Sequence, residues 1–468
     1  MKFFQRKRAV LLAVGIGTFM SALDSSVVNL VLPNISSYFR APLSTIEWTI
    51  MSYLLVVSSL LLAYGRLGDM YGHKNIYNTG FLIFTAGSFL CGIATSVWML
   101  VFFRVIQALG AGMLMAMGPA IITDTVAPSQ RGKALSINAV AVAIALTVGP
   151  VVGGALASTF GWESIFWINI PIGLIGVLLA DRVIPRSGER TVQPFDYTGA
   201  LIVFAALISI LLPLSLVEEY GWGNWMIIGF ILLGLALIPV FVVWEKRTLY
   251  PMFDIFLFNN RLFSMSNLSA LLNFMAQYTI ILLIPFYLEQ LRGLPPSKAG
   301  LLYMPMPVAT MIVAPISGSL SDRMDSRYIS AAGMGVMALG MWLLSNLKAD
   351  SVEISLVMGM VIVGLGIGLF QTPNNNAIMG SVPKSKSGIA SGMLATMRNI
   401  GMVLGVAISG AIFTSSKLWL SGQLRAEGLA GAQLEKAAFV GALHITYIVG
   451  ALLAVTAVIT SLIKGATR

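Results

Sequence analysis

The sequence predicts an all-α polytopic membrane protein with two six-helix halves and two further helices inserted between them. Apolar runs of about 20 residues recur along the chain, the length that a helix needs to cross the hydrocarbon core. Because 57% of the 468 residues are hydrophobic and only 10% are charged, lipid must solvate most of the surface. The runs are continuously apolar rather than alternating, which favours helices over barrel strands.

Fourteen spans are predicted, separated into groups by two polar linkers. The linkers read DRVIPRSGERTVQPFD and EKRTLYPMFDIFLFNNR. They divide the chain into an N-terminal half (1–182), the linkers with the inserted pair (183–261) and a C-terminal half (262–468). The spans are predicted at about 9–33, 46–64, 76–96, 98–122, 134–158, 163–181, 197–217, 225–244, 262–288, 299–319, 328–347, 354–379, 388–415 and 438–463.

The positive residues predict the orientation in the membrane. With the N-terminus in the cytoplasm, 20 Lys and Arg residues fall on the cytoplasmic side, 7 outside and 2 within spans. The acids divide evenly, so the bias is specific to positive charge, as the positive-inside rule requires. We therefore expect both termini in the cytoplasm and the N-terminal run, which has no small-residue cleavage site, to stay as the first span.

The two halves repeat each other in sequence. Because the matches fall in corresponding spans at nearly one offset, we infer parallel repeats, an arrangement that places a substrate site near the midplane between the halves. The matched sets are GRLGD (65–69) with GSLSD (318–322), then Gly110, Gly112 and Pro119 with Gly364, Gly366 and Pro373, and finally Gly149 and Gly153 with Gly401 and Gly405, at offsets of 253, 254 and 252.

Composition excludes several classes of function. The net charge of +10 is dispersed over short loops with no basic block, so a nucleic-acid partner is not expected. One cysteine and two distant histidines make a zinc site improbable, and we predict no metal and no cofactor. The absence of a GxxxxGK[ST] sequence disfavours ATP-driven transport, and nothing predicts a catalytic residue.

Asp24 lies in the middle of the first span, within LDSSVVNLVLP. A carboxylate at bilayer depth costs about 2.5–3.5 kcal/mol on insertion scales and is therefore seldom present without a purpose. We predict that it takes up and releases a proton or a cation; the alternative is a fixed structural partner of a buried donor.

Arg104 lies inside the fourth span, in RVIQALGAG, with Gln107 on the same helical face. Because a buried Arg needs partners and Asp24 is the one acid predicted at depth in this half, we predict that Asp24 and Arg104 interact, directly or through water. The alternative is an Arg that snorkels to the interface. Deep burial of both groups would argue against proton exchange at Asp24.

Two further motifs contain closely spaced glycines. GRLGDMYGHK (65–74) is predicted to be a cytoplasmic turn, in which the glycines permit close approach and Asp69 pairs with a basic neighbour. In TVGPVVGG (147–154), Pro150 removes a backbone hydrogen bond and the glycines expose backbone to another helix; generic small-residue packing is the alternative. The residues singled out are Gly65, Asp69, Gly72 and Lys74 in the first motif, for which an ordinary charged loop is the alternative, and Gly149, Pro150, Gly153 and Gly154 in the second.

Polar residues within spans usually face the bundle interior, so several are predicted to line a substrate cavity. Arg398 is an equal candidate for contact with substrate or an anion and for packing with a backbone carbonyl. No acid lies deep in the second half, which weakens a prediction of cationic substrates. The predicted cavity residues are Asn29, Gln107, Asn273, Gln277, Tyr278, Gln371, Asn374, Asn375 and Arg398.

Together with GWESIFWINIPIG (161–173) and PNNN (373–376), these motifs resemble the major facilitator superfamily over almost the whole chain, and the 14 spans resemble its drug:proton antiporters. The resemblance implies the major facilitator fold, proton coupling at Asp24 and Arg104, a gate around Asp69, and an exporter signature in the fifth span.

The expected function is proton-coupled export of amphipathic drugs or similar small molecules across the cell membrane, by a monomer whose partners are substrate, protons and lipid. Alternatives are export of an endogenous lipid, metabolite or siderophore, and a non-transporting sensor.

Overall fold

The computed structural model describes residues 2–126, 131–185, 196–249, 255–321, 323–383, 386–463 and 465, and within these ranges the regular structure is helical. Long helices account for most of it, joined by short turns and short helical segments. They are α1 (Lys2–Phe39), α2 (Trp48–Tyr71), α3 (His73–Gly92), α4 (Val97–Thr125), α5 (Arg131–Phe160), α6 (Asn169–Val183), α7 (Tyr197–Tyr220), α8 (Trp225–Arg247), α9 (Arg261–Phe286), α10 (Pro305–Ser321), α11 (Ser326–Ser345), α12 (Glu353–Gly380), α13 (Ser387–Ala426) and α14 (Gly431–Ile463).

Among the described residues, 13 helical stretches are long and apolar enough to cross a membrane. The remaining long helix, α3, is not counted among them, since its first turns read HKNIYNTG and are polar. The fold class is therefore confirmed as all-helical and membrane-spanning, whereas the predicted number of 14 spans is not confirmed.

The same helix pairing occurs in both halves. In the first half α1 packs on α5, while α2 and α3 both pack on α4. In the second half α9 packs on α13, while α10 and α11 both pack on α12. Equivalent helices therefore occupy equivalent places. The residue boundaries assigned to the two halves stay a prediction.

Glycine contacts correct one of the repeat offsets. A Cβ on Gly110 would lie 2.6 Å from the carbonyl oxygen of Gly80, and a Cβ on Gly366 would lie 2.7 Å from that of Gly333. Gly110 thus matches Gly366 in packing, not Gly364, which meets Met306 of α10 instead. The spatial offset in this helix is 256 rather than 254, because glycines two residues apart face different neighbours.

The inserted pair forms a hairpin on the side of the bundle. The Asp196 carboxylate caps α7 by accepting from the Gly199 amide at 2.9 Å, and it also accepts from Trp244 Nε1 of α8 at 3.0 Å. At the other end of the hairpin Trp222 Nε1 donates to Ser415 Oγ at 3.1 Å. Because α7 contacts α2 and α13 while α8 is largely exposed, α7 attaches the pair and α8 faces lipid.

Close contacts between the two halves occur toward the side predicted to be extracellular. A Cβ on Gly154 would lie 2.3 Å from the Pro296 carbonyl oxygen, and one on Gly300 would lie 2.2 Å from that of Pro150. Beside them the Ser297 amide donates to Ser158 Oγ at 3.1 Å. We call the contact between residues 150–158 and 296–300 the outer seal.

We expect Gly110→Ala to destabilise the protein by about 1–3 kcal/mol, because the added methyl overpacks the α3–α4 contact and the nearest atom, the Phe84 amide nitrogen at 2.3 Å, belongs to backbone. Thermal unfolding of the purified protein in detergent measures the effect. Gly335→Ala is the matched control, since nothing lies within 4 Å of its Cβ position. Equal unfolding temperatures for the two variants would contradict this packing.

Candidate functional site

Asp24 lies in the interior of the first half and is fully enclosed by donors. Oδ2 accepts from Arg104 Nη1 at 2.6 Å. Oδ1 accepts from Gln107 Nε2 at 2.8 Å and from Asn169 Nδ2 at 2.9 Å. Three side chains from α4 and α6 thus converge on one carboxylate of α1. We call Asp24, Arg104, Gln107 and Asn169 the polar cluster.

Arg104 has partners on α1, α2 and α4. Besides Asp24, Nη1 donates to Gln107 Oε1 at 2.6 Å, and Nε donates to the Thr49 carbonyl oxygen at 3.1 Å. The guanidinium carbon lies 4.1 Å from the centre of the Tyr53 ring, which is a cation–π distance. Two contacts to α2 therefore extend the polar cluster to a fourth helix.

The predicted Asp24–Arg104 contact is present and direct. The side chains of Arg104 and Asp24 are 2% and 0% exposed, so the Arg does not snorkel to an interface. The two side chains are therefore buried together, and loss of either charge would leave the other without its counter-ion. Proton exchange at Asp24 stays a prediction.

The predicted gate stretch is helical rather than a turn. Helix α2 continues through Gly65 and Gly68 to Tyr71, and the chain reverses at Gly72 alone, whose φ is +92°. A left-handed conformation at one residue needs glycine, so a single position replaces the expected loop. The side chain of Asp69 lies outside the described residues, and its predicted role as a gate stays a prediction.

Basic residues after Gly72 join helix ends of the same half. Lys74 Nζ lies 3.1 Å from Asp181 Oδ1 and also donates to the Asp181 carbonyl, which ties α3 to α6. His73 Nδ1 lies 2.7 Å from Asp124 Oδ2, which ties α3 to the end of α4. These pairs hold the helix ends on this side of the first half together.

The helix-motif glycines of α5 face two partners. Gly149 and Gly153 lie against Ser26 and Val27 of α1, within their own half. Gly154, together with the Pro150 carbonyl, lies against residues 296–300 of the other half. A side chain at either face would collide with a neighbour, so the motif packs α5 closely on both sides.

The structure places the predicted cavity residues in different surroundings. Gln107 belongs to the polar cluster, and Asn374 Nδ2 donates to the Ser266 carbonyl at 2.9 Å, a packing role. Asn375 is exposed, whereas Gln277, Gln371 and Arg398 are partly buried. Asn29, Asn273 and Tyr278 are buried, and Tyr278 is within interaction distance of both Asn29 and Arg398.

Sequence reasoning missed Asn169, Tyr53 and Ser88 as parts of this site. Asn169 is a polar residue inside the apolar stretch IFWINIPIG, a signal that was available. Ser88 accepts from Gln107 Nε2 at 2.7 Å, but a serine in a span has many ordinary roles. Tyr53 gave no signal, because an aromatic residue in an apolar span is unremarkable in composition.

A family model described as Major Facilitator Superfamily matches residues 14–406. The chain is 37% identical to the riboflavin transporter RibZ of Clostridioides difficile, over 88% of this chain and 89% of that one. It is 30% identical to the multidrug transporter protein MdtP of Bacillus subtilis, over 88% of this chain and 76% of that one.

Solved structures support the same architecture. A bacterial homolog of the human lysosomal transporter Spinster, in an inward-facing and occupied conformation, superposes with a TM-score of 0.72 at 15% identity. The match covers 97% of this chain and 96% of that one. At this identity the likeness concerns the fold alone.

We expect Asp24→Leu and Arg104→Leu each to destabilise the protein by about 3–5 kcal/mol, since either change leaves a buried charge uncompensated. The double substitution should cost less than the sum, because it removes both charges. Thermal unfolding in detergent provides the double-mutant cycle. Lys298→Gln is the control, because its ion pair with Glu353 is exposed and should leave the unfolding temperature unchanged. Additive effects of the two Leu substitutions would show that the pair is not coupled.

Proposed function

We propose that this chain, which belongs to the Major Facilitator Superfamily and is a transporter rather than an enzyme, exports amphipathic small molecules in exchange for protons. The polar cluster is the observation that carries the proposal. It joins Asp24 of α1 to α4 and α6 through Arg104, Gln107 and Asn169, and Arg104 joins it to α2, so these four helices move together if the halves rock. Its state is thereby coupled to the positions of those helices.

The burial of Asp24 restricts when a proton can bind. Its carboxylate accepts from Arg104, Gln107 and Asn169 in the arrangement with the outer seal closed. Protonation belongs to a second state, in which the movement of α1 relative to α4 separates Asp24 from Arg104.

The proton gradient is the proposed energy source, with no cofactor. Moving one charge across the membrane contributes about 2.3 kcal/mol per 100 mV, enough to bias export by tens-fold. We propose that a monomer in the cell membrane performs the cycle, with both termini in the cytoplasm. The excess of positive residues on that side supports the orientation.

Transport of an endogenous metabolite is the second candidate. The relative named as a riboflavin transporter shares 37% identity with this chain, against 30% for the relative named as a multidrug transporter. A flavin is a planar, amide-rich molecule, and the second half contributes the amides Asn273 and Gln277. Riboflavin therefore belongs in any flux assay beside conventional drug substrates.

We expect Asp24→Asn to abolish transport driven by a pH gradient in proteoliposomes, because an amide does not carry a proton. Asn keeps one acceptor oxygen for Arg104 but removes its counter-ion, so the folding of the variant is checked by thermal unfolding before flux is measured. Flux of ethidium, riboflavin and fluorescein, with internal pH followed by a trapped indicator, measures the effect. Glu353→Gln is the control and should transport as wild type does. Normal pH-driven flux through Asp24→Asn would contradict the proposed coupling.

A cross-link in the outer seal should stop the cycle. We expect cysteines introduced as Ser158→Cys and Ser297→Cys to form a disulfide on oxidation, since Ser158 Oγ already lies 3.1 Å from the Ser297 amide. The native Cys91 is buried and should not compete. Flux should fall on oxidation and recover with reductant, while each single variant is unaffected. Undiminished flux through the cross-linked protein would show that the seal need not open.

A further inference from the structure

Helix α9 carries buried polar groups that have no partner. Asn273 is 0% exposed, and neither its Nδ2 nor its Oδ1 makes a hydrogen bond. Gln277 lies one turn further along the same face, and its buried Oε1 also makes no hydrogen bond. A buried amide without partners destabilises a protein, so these groups are more consistent with binding than with packing.

Arg398 of α13 lies beside this stretch of α9. Gly401 and Gly405 bring the two helices together, since their Cβ positions would meet the carbonyl oxygens of Leu271 and Met275 at 2.6 and 2.7 Å. The Arg398 guanidinium is within electrostatic reach of the Tyr278 hydroxyl. Its Nε makes no hydrogen bond, and no carboxylate among the described residues forms an ion pair with it. We call Asn273, Gln277, Tyr278 and Arg398 the amide–arginine pocket.

The pocket borders the first half. Tyr278 is also within interaction distance of Asn29, which lies five residues after Asp24 on α1. Tyr278 is also close enough to Tyr53, whose ring contacts the Arg104 guanidinium, for an electrostatic interaction. A ligand in the pocket would therefore lie between the halves, within reach of side chains that contact the polar cluster.

The charges at this depth do not balance. Asp24 accepts hydrogen bonds from three donors and Arg104 is its counter-ion, so the pair has no net charge. Arg398 remains, with one positive charge. Glu47 and Glu289, the other acids in the spans nearby, lie at the ends of α2 and α9 that adjoin the predicted outer side. A cationic ligand would meet repulsion here, whereas an anion would supply the missing acceptor.

We propose that the amide–arginine pocket selects anionic aromatic substrates, with a carboxylate or similar acidic group on Arg398 and ring carbonyl or imide groups on Asn273 and Gln277. This assignment rests on the proposed transport function and specifies the class of molecule carried. It disfavours organic dications as substrates.

Two xanthene dyes of similar ring system and opposite charge provide the test. Fluorescein is anionic at neutral pH, whereas rhodamine 6G is cationic. Binding of each to the full chain in lipid nanodiscs is measured by fluorescence anisotropy without any pH gradient. We expect the wild type to bind fluorescein at least about tenfold more tightly than rhodamine 6G, as a charge-assisted contact predicts.

Three variants decide the role of Arg398. Arg398→Gln should remove the preference for fluorescein, and Arg398→Lys should keep part of it because the charge is retained. Arg425→Gln, an exposed arginine on the same helix, should leave it unchanged. If Arg398→Gln does not fold, the wild-type preference and the Arg398→Lys variant still decide the question.

Tighter binding of rhodamine 6G, binding of neither dye, or an unchanged preference in Arg398→Gln would overturn the assignment. The measurement is separate from the proposed antiport, since it uses no proton gradient. A preference for fluorescein without proton-driven flux would support the pocket and contradict antiport. Proton-driven flux of rhodamine 6G alone would support antiport and contradict the pocket.

Discussion

The buried ion pair between Asp24 and Arg104 is the constraint on which the interior of the first half depends. Removing two charges from water is expensive, and attraction offsets that penalty only with good geometry and further hydrogen bonds. Gln107 and Asn169 donate hydrogen bonds to the carboxylate. The guanidinium donates to the Thr49 carbonyl and makes a cation–π contact with the Tyr53 ring. Four helices are thus held by one pair of charges. Any movement that separates the pair must provide a proton, a ligand or water in compensation, which is why the pair suits a transporter with two states.

Close packing of helices through glycine is the second constraint on this structure. Helices in lipid gain little from apolar burial against one another, so they associate where small residues let their backbones approach. Gly80 with Gly110, and Gly333 with Gly366, do this in corresponding places of the two halves. Gly154 and Gly300 do it between the halves, where the contact must also open. Contacts made by glycine involve few side chains, so they can separate without unpacking a large interlocked surface.

The two halves differ in how their charges are satisfied. The first half has a neutral pair enclosed by amides, whereas the second has Arg398 with an unpartnered Nε beside unpartnered amides. The two halves therefore suit different roles. The first half suits the coupling of charge to helix position, and the second half suits the recognition of a ligand. Tyr53 and Tyr278 lie between the two groups, at the place where an occupied pocket would affect both halves.

The membrane class, the approximate spans and the candidacy of Asp24 and Arg104 followed from the sequence, because the hydrophobicity of a run and a charge within it are local properties. An interaction between Asp24 and Arg104 was also predictable, since few partners were available at that depth, but only the structure decided that it is direct. Only the tertiary structure decided that Asn169 completes the cluster, that Gly72 alone forms the turn, and that Gly110 matches Gly366. These depend on how helices rotate and approach one another, and many side chains 50 to 150 residues apart compete for each contact without a periodic signal to distinguish them.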